Sequence, residues 1–226
     1  MTELPAQSKA VEDFLKAVYT LQQQSDRVST NTLSDVLKIT APSVTDMAQR
    51  MVSAGLVDYQ KYRGVVLTPA GEVIALKVIR RHRLIELYLV QELGYELAEV
   101  HREAEQLEHV VSDRFVSAVA HKLGDPDFDP HGDPIPAQDG SMHQRALLPL
   151  PELPDHALAR VRQLKTSDSN MLQHILDRGF TLESTVEIVA RDPFDGPITA
   201  SVDGQERIIG VGVAGCILVE PVLPED

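Results

Sequence analysis

The chain has 226 residues, 43% of them apolar, and a formal net charge of −13. That length suits more than one module. The acidic balance excludes nucleic-acid binding by bulk charge alone, the lack of a long uncharged apolar run excludes a helical membrane span, and a single cysteine, Cys216, excludes an intrachain disulfide and fits a cytoplasmic protein.

Residues 1–10 carry no basic flank followed by an apolar stretch, so no signal peptide is expected. Residues 11–24 then place Val11, Phe14, Leu15, Val18, Tyr19 and Leu21 at helical spacing. A short helix fits Asn31–Leu37, with Ser29 or Thr30 as its N-cap. Another fits Pro42–Ala54: Thr40 caps it, Pro42 sits in its first turn and Gly55 ends it. Residues 56–59 and 65–68 flank a turn at 61–64 and read as a β-hairpin. Beyond Gly71 a long helix is expected over Glu72–Leu93, ending at Gly94, and a second over Leu97–Lys122, ending at Gly124. Residues 125–155, rich in Pro, Asp and Gly, read as a linker. Val186–Ala190, Ile198–Val202, Arg207–Val211 and Ile217–Val222 read as strands of a small β module. The expected architecture is mainly α with β. Residues 1–71 form a winged helix-turn-helix, 72–124 a helical domain, 125–155 a linker and 156–226 a small β-barrel.

Charge is unevenly spread. Residues 1–73 hold seven Lys and Arg against eight Asp and Glu, while residues 124–226 hold seven against eighteen. The N-terminal third is near neutral and can accept DNA locally. Its short helices and hairpin have the order of a winged helix-turn-helix, in which the second helix of the motif enters the major groove and the wing touches the backbone. The expected DNA contacts are Thr40, Ala41, Pro42, Ser43, Thr45, Asp46 and Gln49 on the reading helix. Small and hydroxyl side chains there permit close approach. Lys61, Tyr62 and Arg63 at the wing tip suit phosphate. Helix–helix–hairpin modules also bind proteins, and Asp46 favours DNA only by accepting from a cytosine amino group.

The two long helices carry a sharper signal. His82 and Glu86 are four apart on one; His101, Glu105, Glu108 and His109 follow on the next. Spacings of three and four share a helix face, so these residues form polar stripes on helices expected to pack antiparallel. Imidazole with carboxylate and no thiolate suits Mn(II), Fe(II), Co(II) or Zn(II), with the balance toward manganese or iron. A His-Glu-x-x-His protease motif is absent. The plain alternative is a solvated charged face.

Taken together, these motifs resemble the diphtheria toxin repressor family of metal-dependent regulators over essentially the whole chain. The pieces are residues 14–19 (FLKAVY), 41–47 (APSVTDM), 59–68 (YQKYRGVVLT), 82–86 (HRLIE), 101–105 (HREAE), 107–109 (LEH) and 130–136 (PHGDPIP). The wing and reading helix look closest to the family's manganese regulators. The resemblance implies a homodimer on palindromic operator DNA, a C-terminal SH3-like barrel, and repression of metal-uptake genes with Mn(II), or Fe(II), as co-repressor. It implies one metal site of His82, Glu86 and His101, and another of Glu105, Glu108 and His109 completed by Asp13. Asp13 and Glu105 stand where iron-sensing members carry Met and Cys, and hard oxygen in place of sulfur favours manganese. Lys16 stands where the closest manganese regulators often carry a carboxylate. Gln163, Asp168 and Gln173 are candidates for ligands lent by the barrel.

The apolar residues Val110, Val111, Phe115, Val116 and Val119 offer a dimer face. The rival readings are a winged-helix regulator answering to a small organic ligand, a small metalloenzyme, for which the sequence offers no activated nucleophile, and a metal store, which needs no winged helix.

Overall fold

The computed structural model describes residues 8–222. They fall into two compact units. One comprises residues up to 82 with 105–116 and 136–141; the other comprises 83–104, 117–135 and 142 onward.

The first unit opens with α1 (Lys9–Gln22), α2 (Thr30–Leu37) and α3 (Ala41–Ser53), followed by the antiparallel pair β1 (Val57–Gln60) and β2 (Gly64–Leu67). The apolar stripe of α1 buries Val11, Phe14, Leu15 and Val18 in one core with Leu33, Val44, Ala48, Met51 and Val65. Full burial of such a side chain stabilises by about 1.5–3 kcal/mol. Both short helices start on side-chain caps. Ser29 Oγ accepts from the Thr32 N–H at 3.0 Å, and Thr40 Oγ1 accepts from the Ser43 N–H at 3.3 Å; such caps contribute about 1 kcal/mol each. Lys38 takes a left-handed φ of 56° between them, which makes the tight turn of a helix-turn-helix. The wing is anchored through Val28, which bridges to Val65 beside β2. Gly64 permits this approach: a Cβ there would meet the Val28 carbonyl oxygen at 2.3 Å.

The long helix α4 spans Pro69–Leu93 and begins on Pro69, three residues earlier than expected. The single helix expected over 97–122 is two, α5 (Val100–Leu107) and α6 (Asp113–Lys122). The break falls at the β-branched Val110-Val111, and Ser112 restarts the chain by accepting the Phe115 N–H on its hydroxyl at 3.2 Å. Glu108 and His109 therefore sit in a turn, not on a helical stripe.

The second unit contains β3 (Leu148–Pro149), β4 (Leu158–Leu164), β5 (Thr185–Arg191), β6 (Ile198–Val202), β7 (Gln205–Ile209) and β8 (Ile217–Pro221), with α7 (Ser169–Asp177) and α8 (Val211–Ala214). The strands form one antiparallel sheet in the order β3-β8-β4-β5-β6-β7. Register shifts between Val161 and Gln163 and between Ile188 and Ala190 bend it. It is the SH3-like module expected, built as an open sheet with β3 and β7 at its edges. Val161, Val186, Ile188, Ala200, Ile217 and Val219 fill its core with Leu172, Ile175 and Phe180. Strand β4 and helix α7 have no counterpart among the expected elements.

Candidate functional site

The first unit gathers a buried polar cluster from three stretches of chain. Asp13 comes from the middle of α1, His82 from α4, and Glu108 and His109 from the turn after α5. One ligand atom each of Asp13, Glu108 and His109 lies within 4.8 Å of the others. His109 Nε2 is 2.8 Å from Asp13 Oδ1 and 3.1 Å from Glu108 Oε1. Its other nitrogen, Nδ1, is 2.6 Å from Glu12 Oε2, and Glu12 is held in turn by Arg81 at 3.3 Å. Lys16, one turn after Asp13, reaches both oxygens of Glu108 at 2.9 Å. His82 Nδ1 lies 2.6 Å from Glu108 Oε2 and 3.2 Å from Lys16 Nζ. Its proton decides which contact is a hydrogen bond: protonated it donates to Glu108, bare it accepts from Lys16.

The electrostatics follow from this packing. Burial raises the Glu108 carboxyl, but the His82 hydrogen bond and the Lys16 charge overcome that and hold it below the usual carboxylate range. Burial pushes Asp13 up, against the opposing pull of His109 and Lys9.

The second unit holds another cluster around Glu86. Its Oε1 is 3.1 Å from His101 Nδ1, and its Oε2 is 3.7 Å from His131 Nδ1. Glu86, Asp129 and His131 are all buried and also offer ligand atoms within 4.8 Å of one another. The loop that carries Asp129 and His131 is tightly built. Asp129 Oδ1 accepts the backbone N–H of His131 at 2.8 Å and of Asp133 at 2.9 Å. The Leu164 N–H donates to the His131 carbonyl oxygen at 2.9 Å. Gly132, at a φ of 88°, lies so close to β4 that a Cβ would meet the Arg162 carbonyl oxygen at 2.0 Å. His131 Nε2 faces the Leu97 carbonyl oxygen at 3.3 Å, which directs Nδ1 to Glu86 when Nε2 carries the proton. Burial, then Asp133 and Glu86, push the Asp129 carboxyl up to about 7.

The structure thus brings Asp13, Glu108 and His109 together, and Glu86 with His101. His82, one turn before Glu86 on α4, is engaged with Glu108. Glu105 is exposed on α5 and belongs to none of the described groups that could hold a metal. Of the residues considered in the β module, Gln163 donates to Asp133 at 2.9 Å and so braces the Asp129 loop. Asp168 caps α7 through the Asn170 and Met171 N–H groups, and Gln173 pairs with Asp177. Glu12, Asp129 and His131 were not among the expected site residues. An alternating Asp-x-His at 129–131, in a segment read as a linker, was the signal available for the last two.

On the reading helix α3, Pro42, Ser43, Asp46 and Gln49 are exposed and Ala41 and Thr45 partly so, with Thr40 exposed at its cap. Thr45 returns its hydroxyl to the Ala41 carbonyl oxygen at 3.1 Å. Lys61, Tyr62 and Arg63 are exposed at the wing tip, and Tyr62 carries a left-handed φ of 67°. Of the apolar residues beyond Glu108, Val110 and Phe115 are exposed while Val116 and Val119 are buried within the chain. No helix among the described residues is long and apolar enough to cross a membrane.

The family model of the iron dependent repressor N-terminal DNA binding domain matches residues 7–65. That of the iron dependent repressor metal binding and dimerisation domain matches residues 68–137, and that of the FeoA domain residues 148–221. The diphtheria toxin repressor of Corynebacterium diphtheriae is 30% identical over 219 residues, covering 92% of this chain and 96% of that protein. Among solved structures, a manganese-dependent transcriptional repressor in complex with manganese is 37% identical at a TM-score of 0.86, covering 94% of this chain and all of that one. ScaR with bound Zn2+ is 31% identical at a TM-score of 0.78, covering 94% and 99%.

Proposed function

The chain belongs to the diphtheria toxin repressor family of metal-dependent regulators, and on that premise we propose that it represses metal-uptake genes by binding palindromic operator DNA as a homodimer loaded with Mn(II). It is a metal-responsive transcriptional repressor and not an enzyme. A small organic effector is not favoured, because its relatives are metal-dependent repressors.

One observation carries the reading. Asp13 lies in the segment matched as a DNA-binding domain, Glu108 and His109 in the segment matched as a metal-binding and dimerisation domain, and their ligand atoms converge. A buried carboxylate, a partly exposed one and an imidazole fit a divalent ion of borderline or hard character. The sole cysteine, Cys216, stands in neither cluster, and this oxygen-rich donor set supports manganese, with iron second. A bound ion supplies positive charge that offsets the repulsion between Asp13 and Glu108. With an ion held there, Asp13 would draw α1 against the turn after α5; Glu12 turns His109 so that Nε2 faces the ligand carboxylates. Glu86 anchors the second centre with His101, Asp129 and His131, and His82 stands one turn earlier on α4.

On the DNA side, Thr40, Ala41, Pro42, Ser43, Thr45, Asp46 and Gln49 meet the major groove, and Lys61, Tyr62 and Arg63 meet the phosphates. The exposed Val110 and Phe115 support a contact between protomers.

Fluorescence anisotropy on DNA selected from a random pool tests the reading. Chelated protein should bind that DNA weakly, and Mn(II) should tighten binding more than Fe(II) or Zn(II). Equal binding with and without metal would refute the metal signal, and a steeper response to Fe(II) would reassign the ion.

A further inference from the structure

Lys16 is a cation already inside the first cluster. Its ammonium lies 2.9 Å from each oxygen of Glu108 and 3.2 Å from His82 Nδ1. Glu108 is almost fully buried, with 1% of its side chain exposed, while Lys16 keeps 20%. The same carboxylate is offered to the group formed with Asp13 and His109. Two claims therefore fall on one side chain: Glu108 satisfies Lys16 in the metal-free protein and a divalent ion in the loaded one.

We infer that Lys16 is an internal competitor for Glu108, a tethered ammonium that neutralises the cluster in the absence of metal and so sets the metal concentration at which the site fills. This rests on the metal reading above and deepens it.

Without metal, Glu12, Asp13 and Glu108 crowd around His109, Lys16 reaches Glu108 and Arg81 reaches Glu12. Removing the ammonium takes one cationic partner from a buried carboxylate and leaves it the imidazole of His82 at 2.6 Å, which raises the energy of the metal-free fold. With metal, the ammonium stands beside a second positive charge in a poorly screened setting and repels it. Both effects weaken metal binding relative to a chain with a neutral residue at this position. The contact also ties α1 to the turn after α5 before any ion arrives, so filling the site exchanges one tether for another.

The test uses full-length protein carrying Glu86→Gln, which disables the second centre, with Mn(II) as the probe and free Mn(II) read by electron paramagnetic resonance. In that background Lys16→Met should tighten Mn(II) binding on the order of tenfold. It should also lower the unfolding midpoint of the chelated protein and enlarge the rise in midpoint that Mn(II) produces. His109→Ala should abolish binding. If Lys16→Met binds Mn(II) equally well or more weakly while His109→Ala loses it, Lys16 does not compete and this inference fails, with the metal reading intact. If His109→Ala binds like its parent, the ligand assignment falls and takes the inference with it. Lys16→Arg provides a second arm should the Met variant fail to fold. A guanidinium grips a carboxylate with two parallel hydrogen bonds, so Mn(II) affinity should fall several-fold; an unchanged or higher affinity overturns the inference.

Discussion

His109 Nδ1 lies 2.6 Å from the carboxylate of Glu12, the residue immediately before Asp13 on α1. The contact fixes which way the imidazole presents its nitrogens: a proton on Nδ1 is given to Glu12 and leaves the Nε2 lone pair facing Asp13 and Glu108. Partners of this kind typically cost 10–100-fold in metal affinity when removed. Glu12→Ala should therefore weaken Mn(II) binding by about that factor while Asp13, Glu108 and His109 remain in place. Isothermal titration measures it directly. An unchanged affinity would mean that His109 is oriented by something other than Glu12.

The second cluster predicts a pH dependence. Burial, then Asp133 and Glu86, raise Asp129 from 3.8 to about 7, against the pull of His131 and Arg83. The fold thus favours the neutral carboxyl. Its stabilising contribution is complete below the unfolded value and is lost as pH rises through about 7. His131 works in the same direction: burial lowers it, but the facing Glu86 carboxylate, with Asp129 and Asp133, prevails and raises it. Chelated protein should accordingly melt at a lower temperature at pH 8 than at pH 6, by about a few degrees, and Asp129→Asn should flatten the difference. An identical slope in the Asn variant would place the titrating group elsewhere.

Much of the first unit was legible in the sequence because its boundaries are local chemistry. Ser29 and Thr40 cap their helices, Pro42 sits in a first turn, and Gly55 and Gly64 take positive φ where the chain must reverse. The apolar spacing of α1 reports its buried face directly. The chain from 97 to 122 misled because helical periodicity continues through the break, and only the pairing of Val110-Val111 with Ser112 marks it. Strand β4 hid behind its arginines: Ala159, Val161 and Leu164 are buried, but Arg160 and Arg162 make the segment read as polar. Helix α7 buries only Leu172 and Ile175, too few to stand out. For the candidate site, spacing pointed to His82, Glu86, His101, Glu105, Glu108 and His109. Glu12 and His131 touch partners distant in sequence, His109 and Glu86, which spacing does not reveal.

The loop carrying Asp129 and His131 depends on one glycine. Gly132 has a φ of 88°, and a Cβ would stand 2.0 Å from the Arg162 carbonyl oxygen, a backbone atom. Gly132→Ala is strained twice over and should destabilise by more than about 1 kcal/mol. It should also weaken Mn(II) at the Glu86 centre while sparing the centre built on Asp13. Equal loss at both centres, or at neither, would contradict the role given to this loop.

The wing and the reading helix should separate in DNA-binding assays. If Lys61 and Arg63 meet phosphates, Lys61→Ala and Arg63→Ala should each weaken binding to all sequences alike and reduce the salt slope by about 1. Gln49→Ala should instead relax the preference at particular base pairs, at a cost of about 1–3 kcal/mol for the preferred sequence. Anisotropy across a panel of operator variants and salt concentrations distinguishes them. A sequence-selective defect from Arg63→Ala would overturn the assignment of the wing to the backbone.

The measurement that bears most directly on the central claim is operator binding by Asp13→Ala, with and without Mn(II). Asp13 belongs to α1 of the DNA-binding segment, yet its carboxylate is 2.8 Å from His109 in the metal-binding segment. If metal governs DNA binding by joining these segments, the variant should retain the weak affinity of the chelated protein and lose most of the tightening that Mn(II) gives the native chain. Metal-dependent tightening undiminished in Asp13→Ala would contradict the account.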